Sequence, residues 1–421
     1  MPMNPRSDNT PPTVADPQVS LRSALLEATV GLAYTEGFDG ISLRSVSGKI
    51  SKSTTVIFQH FGGRQGLIDA ALDHALAHER LRHDALLAEI DGFPNEPMAL
   101  AELVAYYVKA ADRDANARFC LEAMLHPETL TDPSARLQQW SDVRGAFWKT
   151  VTQSASSIIR LLADYTVMEQ AFCTALRGEP AYDQLLRTTA RAACLGRIPF
   201  DPEADDPILG WARQRAFPAL GESTAKDAPM EPLVVTVAQR IANEGINAIN
   251  LRRIALDEGV PPSLIIYHYG DFAAFLSAAI WRAMMHELPA YLDQTDPTDD
   301  EGRANWLAGL RAAVTPGPTG ASNGFYVRYA RILGQVCLLA RQRPELVPLV
   351  RQLRAIEGMG IHRASLNAWP REFRLDPAAA STFSIWIKSH ALSRISAPAS
   401  SGSEDDMAMI LRALIGNVSK N

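Results

Sequence analysis

Residues 37–46 read GFDGISLRSV and residues 245–254 read GINAINLRRI, while FQHFG at 58–62 stands opposite IYHYG at 266–270. Both pairs share a single offset of 208 residues without a gap. The shared Gly, His, Asn/Ser and aromatic positions go beyond the Leu, Ile and Arg that any two amphipathic helices have in common. Length alone allows two or three unrelated domains in 421 residues. The repeat narrows this to two copies of one unit, each about 200 residues long, within the usual domain range.

Apolar residues recur at helical spacing in LLEATVGLAY, LIDAALDHALA, SIIRLLADYTVMEQAF, FLSAAIWRAMM, ILGQVCLLA and FSIWIKSHAL, and strict period-two alternation is hard to find. An all-α fold is expected. Asp376-Pro377 supplies an N-cap with Pro at the first helical position, and the acids after Ser403 suit the positive end of a helix dipole. Residues 1–20, rich in Pro, Ser, Asn, Asp and Thr, are expected to form a flexible tail. A Pro-rich, acidic connector is expected over 197–229, with one short helix starting at Asp206-Pro207.

The first copy opens with an amphipathic stretch, Leu21 to Glu36, closed by Gly37, a residue suited to a left-handed cap. Ser42 can cap a second helix through Ile50, a break follows near Ser51, and Ser53 can cap a third helix to about His60. Two helices, a tight turn and an outward third helix suit the major groove of B-DNA. Ser53, Thr54, Thr55 and Gln59 can reach base edges or phosphates; Lys52, His60 and Arg64 can sit beside phosphates; Val56, Ile57 and Phe61 are expected to face the core. Arg22, Arg44, Lys49, Lys52 and Arg64 stand against Glu27, Glu36, Asp39 and Asp69, and the 44–64 stretch holds no acid. Positive charge is thus concentrated where a phosphate backbone would lie.

At Gly37-Phe38, Ser42-Leu43-Arg44, Phe58, His60-Phe61 and Arg64-Gln65-Gly66-Leu67 the chain resembles the tetracycline-repressor (TetR) family of regulators. Ser51-Lys52 departs from the family's usual Gly-Val at the turn, and Arg64 stands where Lys is typical. The second copy resembles the family at Gly245-Ile246, Asn250-Leu251-Arg252, Ile254-Ala255, Gly259-Val260 and His268-Tyr269. Its recognition face departs: Pro261 and Pro262 replace small polar residues, Ile266 replaces a tyrosine, and Phe272 stands where a phosphate-binding Lys is expected. Over 228–277, Arg240, Arg252 and Arg253 face Glu231, Glu244, Asp257, Glu258 and Asp271. Weaker or altered DNA binding is therefore expected of the second copy, through Asn250, Arg252, Ser263, Tyr267 and His268.

The resemblance implies two TetR-like units, each a helix-turn-helix domain (21–66 and 230–274) followed by a helical ligand-binding and dimerisation region (67–196 and 275–421). It also implies a four-helix interface from about 156–176 with 182–195 and 377–396 with 405–417. One chain would then form an intrachain pseudo-dimer, with a further homodimer possible. Double-stranded DNA is the implied partner, and repression under a small apolar or aromatic effector the implied mode. Aromatic and Met residues in both copies suit ordinary bundle core; for a ligand pocket the candidates are Trp140, Trp148, Trp281, Met285, Trp306, Tyr326 and Tyr329. The alternative is a helical small-molecule sensor or adaptor that has lost DNA binding.

Apolar residues make up 47% of the chain and charged ones 21%, with a net charge of −6. These values suit a globular protein whose basic surface is local. Cys120, Cys173, Cys194 and Cys337 form no CxxC pair, so neither a disulfide scaffold nor a thiolate zinc site is expected, and a reducing cytoplasm fits best. No apolar run suggests a leader or a membrane span. His74 and His78 sit four residues apart, but Ala75 replaces the Glu of a metalloprotease HExxH, and no GxSxG, P-loop or dinucleotide motif is present. No metal, cofactor or catalytic activity is expected.

Overall fold

The computed structural model describes residues 17–153, 156–195, 206–217, 230–246, 249–285, 300–317, 324–395 and 404–415. Among them the chain is all-α, with no strand. The first half runs α1 (Pro17–Glu36), α2 (Leu43–Lys49), α3 (Thr54–Phe61), α4 (Arg64–Glu89), α5 (Pro97–Arg113), α6 (Ala115–Leu125), α7 (Pro133–Thr152), α8 (Ser156–Leu176) and α9 (Pro180–Leu195). After α10 (Pro207–Ala216) come α11 (Glu231–Glu244), α12 (Leu251–Asp257), α13 (Pro262–Tyr269), α14 (Phe272–Met285), α15 (Asp300–Val314), α16 (Phe325–Gln342), α17 (Val347–Ala355), α18 (Met359–Asn367), α19 (Pro377–Ser393) and α20 (Glu404–Ile415). The bounds of α2 and α3 recur 208 residues later as those of α12 and α13, and the end of α1 and the start of α4 recur as the end of α11 and the start of α14.

Local chemistry accounts for these bounds. Gly37 (φ 72°, ψ −179°) and Gly245 (φ 85°, ψ 167°) close α1 and α11. This is positive φ with extended ψ, a region open essentially to glycine, and not the left-handed helical cap expected of Gly37. Asp206 accepts from the Ile208 and Leu209 amides at 2.9 Å to start α10, and Asp376 accepts from Ala379 N at 2.8 Å to start α19. Both are followed by Pro at the first helical position, where a missing N–H costs nothing. Helix α1 begins at Pro17, inside the stretch expected to be tail, for the same reason. The rest of that tail, most of the connector and the end of the expected last helix lie outside the described residues.

Apart from a small cluster where α10 meets α9, one large hydrophobic core runs through both halves among the described residues. At its centre lies α19, buried at every residue from Ala379 to Leu392 and packed on α8, α9, α16 and α18. A helix enclosed all round needs partners for its polar groups. Ser389 Oγ accepts from Met168 N at 3.1 Å, Thr382 Oγ1 donates to Thr189 O at 2.9 Å, and His390 Nδ1 lies 3.1 Å from Asp164. Helix α20 packs on α8, α9 and α19. Thus α8 and α9 from the first half meet α19 and α20 from the second. Among the described residues no single helix is long and apolar enough to cross a membrane; α13 and α14 reach that length together but bend by 80°.

Candidate nucleic-acid interface

The first three-helix head is assembled by short-range hydrogen bonds. Ser42 Oγ accepts from Ser45 N at 3.0 Å and Ser45 Oγ accepts from Ser42 N at 2.9 Å, a reciprocal box that starts α2. Ser51 turns the chain towards α3 with φ 54°, and Gly259 makes the matching turn before α13 with φ 63°. Ser53 stands at the N-cap of α3 as expected, but its side chain makes no capping bond. Ile57 is fully buried, Val56 and Phe61 are half-buried, and Phe58 is exposed.

What remains outward is polar and basic. Lys52, Ser53, Thr54, Thr55 and Gln59 are exposed together on and just before α3, with His60 half-exposed. Arg44 and Lys49 are exposed on the preceding helix. Arg64 differs from its expected place beside phosphates. Its Nε donates to Ile41 O at 2.7 Å and its Nη2 to Phe38 O at 3.1 Å, tying the start of α4 to the link between α1 and α2. Phe38 O already accepts from Ile41 N at 3.2 Å, so the guanidinium fork adds a second donor there and supplies one to Ile41 O.

The second head has the same frame and a different face. Asn250 Oδ1 accepts from Arg253 N at 2.8 Å, the role Ser42 plays in the first. Two of its three cations are taken by acids: Arg240 bonds Asp257 at 2.7 Å and Glu258 at 3.3 Å, and Arg253 lies 3.7 Å from Asp257 and 3.9 Å from Glu244. Arg252 and Ser263 are exposed, Tyr267 is 79% exposed, and His268 is half-buried beside it. Leu256 is exposed where the first head has Gly48, and Leu264 is exposed where the first head has the half-buried Val56.

The candidate pocket aromatics are mostly core. Trp140, Trp148, Trp306, Tyr326 and Tyr329 are buried, while Trp281 and Met285 are half-buried. Trp140 packs under the Arg144 guanidinium at 4.9 Å, Trp148 against Tyr107 at 5.1 Å, Trp306 against Trp369 at 5.1 Å, and Tyr329 under the Lys388 ammonium at 4.6 Å. None of the seven lines the groove of about 440 Å³ between α4 and α7, whose walls include Arg80, His83, Leu87, Asp142, Val143 and Phe147. His83 Nε2 lies 3.0 Å from Tyr107 Oη and 3.2 Å from Arg82 Nη2, and its Nδ1 is buried without a hydrogen-bond partner. Burial holds this imidazole below its ordinary pKa. Nε2 also lies 3.4 Å from Glu79 Oε1, so this ring edge sits among a carboxylate, a phenol and a guanidinium.

No family model matches the chain, and no curated protein matches it.

Among the described residues no three His, Cys, Asp or Glu side chains converge as a metal site; the His74 and His78 rings lie 4.4 Å apart on α4. Sequence reasoning missed the groove, and it missed Glu122 and Gln335, which hold the inner ends of the two heads. A glutamine inside the apolar run ILGQVCLLA was the available signal, since a polar side chain on a buried face needs a partner.

Proposed function

We propose that the chain is a DNA-binding transcriptional regulator of the tetracycline-repressor kind, a ligand-responsive repressor made of two such units paired within one chain. The observation that carries this reading is the outward face of the first head. Lys52, Thr54, Thr55 and Gln59 are exposed together, with Arg44 and Lys49 beside them and no ion pair to any of the three cations among the described residues. The matched face of the second head is largely neutralised by its own acids, so the first head supplies most of the phosphate attraction.

In this reading the units comprise reading heads at 21–66 and 230–274, with helical regions at 67–196 and 275–421. The packing of α8 and α9 on α19 and α20 supports an intrachain pseudo-dimer, favoured by the high effective concentration that a covalent link provides. The effector is a small apolar or aromatic molecule, and the groove between α4 and α7 is its site, because α4 runs directly from that groove to the head. Selection from random duplexes tests the reading. A recovered motif, bound with an affinity that falls steeply as salt rises, is the expected result; failure to select any salt-sensitive motif would leave a helical sensor or adaptor instead.

A further inference from the structure

The two heads meet one helix. Gln335, near the middle of α16 and 4% exposed, donates from Nε2 to Leu125 O at 3.2 Å and accepts at Oε1 from Ile246 N at 3.4 Å. Leu125 O is one of the last carbonyls of α6, left without an intrahelical partner, and Ile246 N follows the glycine that closes α11. One amide therefore uses both of its ends, one on each half. Beside it, Gly334 is in direct contact with Leu125, and a Cβ there would overlap the Leu125 side chain, which is itself fully buried. The crossing of α6 and α16 is as close as it is because residue 334 has no side chain.

The same two helices grip the first head. One turn before Leu125, the buried Glu122 accepts a hydrogen bond from the Phe38 backbone. A Cβ at Gly37 would stand 3.0 Å from Gln342 Nε2 and 3.7 Å from Glu122 Oε1. The Arg341 guanidinium lies 4.0 Å above the Tyr34 ring of α1. Arg331 of α16 pairs with Glu128 just beyond α6. Along its 18 residues, α16 thus touches the second head through Gln335 and the first through Arg341 and Gln342.

We propose that α16 is a shared strut that sets the separation and orientation of the two heads, with Gly334 and Gln335 as the positioning residues that determine which spacing of DNA half-sites the chain accepts. The spacing part rests on the DNA-binding reading above; the strut itself does not. A packed crossing of this kind has discrete arrangements and does not slide continuously. Changing the crossing should therefore move one head relative to the other.

The test is a spin-label distance measurement in the full chain, in a Cys194→Ser background, with labels at Lys49→Cys in the first head and Leu256→Cys in the second. Both label sites are exposed, and the distances are read without DNA, so the place of Lys49 beside the proposed DNA face does not enter them. The parent is expected to give one narrow distance distribution. Gly334→Ala should shift its mean by more than the parent's width, and Gln335→Met, which keeps the volume and removes both hydrogen bonds, should at least double the width. Helical content and a cooperative melt establish that each variant is folded. If Gly334→Ala does not fold, Gln335→Met decides alone. A folded variant with an unchanged distribution overturns the strut. Duplex selection with the unlabelled variants separates the two readings. A changed distance with no DNA selected by any chain leaves the strut and removes the regulator, whereas an unchanged spacing preference despite a changed distance removes the role of α16 in specificity.

Discussion

Arg354 Nη2 donates to Glu169 Oε1 at 2.7 Å across the junction of the two halves, with neither side chain exposed to solvent. Thr189 Oγ1 accepts a second bond from Arg354 at 3.1 Å, and Tyr165 Oη donates to the same carboxylate at 3.2 Å. Burial pulls the guanidinium pKa down, but the adjacent Glu169 charge outweighs it and holds the group above its ordinary value. The pair joins α8 of the first half to α17 of the second, 185 residues apart.

Arg354→Ala should leave that carboxylate buried and uncompensated, lowering stability by about 3–5 kcal/mol. The double variant Arg354→Met with Glu169→Gln should recover more than half of the loss, since it removes both charges. Urea unfolding of the three chains measures this; equal losses in the single and double variants would show that packing, and not the charge pair, is what Arg354 contributes.

Ser51→Gly should raise the melting temperature. A non-glycine residue at φ 54° carries backbone strain of roughly 1–2 kcal/mol, from which the greater freedom of glycine in the unfolded chain subtracts about 0.4–1 kcal/mol. The net gain expected is between zero and about 1.6 kcal/mol. The second head already has Gly259 at this turn, so Gly259→Ser should act in the opposite direction.

His83 should make stability depend on pH. Burial first, with Arg82 and Arg144 adding to it, outweighs Glu79 and lowers the folded pKa. The unfolded chain therefore takes up a proton that the folded chain refuses. Stability is fully present above the ordinary imidazole range and is lost as pH falls through that range towards the lower folded value. Denaturant midpoints at pH 7 and pH 5 should differ less in His83→Gln than in the parent; an equal difference would place the titration elsewhere.

The four thiols should be slow towards a disulfide reagent at pH 8. Cys120, Cys173 and Cys337 are buried, and burial pushes the Cys173 and Cys194 thiols up to about 12. Thiolate, the reacting form, is then scarce. No rapid phase is expected from the native chain, and all four thiols should react after unfolding in guanidinium. A fast native equivalent would identify an open site at one of them.

Thr55→Ala with Gln59→Ala should abolish selective DNA binding, and Lys52→Ala should weaken binding to all sequences alike while reducing the salt slope by about one. Tyr267→Ala should have a smaller effect than the double variant. Equal losses on retardation gels would show that the second head reads DNA as strongly as the first.

Much of the fold was legible in the chain because its signals are local. Proline after aspartate, a serine or asparagine cap and a glycine that alone tolerates positive φ each act within a few residues, and the cap and the glycine recur 208 residues apart with the helix bounds they specify. The polar face of α3 was legible for the same reason, since helical spacing separates Ile57 from its exposed neighbours. Tertiary structure alone decided where charges and amides go. Arg64 turns to the carbonyls of Ile41 and Phe38, Arg240 pairs with Asp257 and Glu258 at the end of the next helix, and most of the aromatics proposed for a pocket become core. The partner of Gln335 at Leu125 lies 210 residues away. No periodicity encodes such a contact, because it exists only once the two halves have packed and a buried polar group must take whichever partner the packing brings.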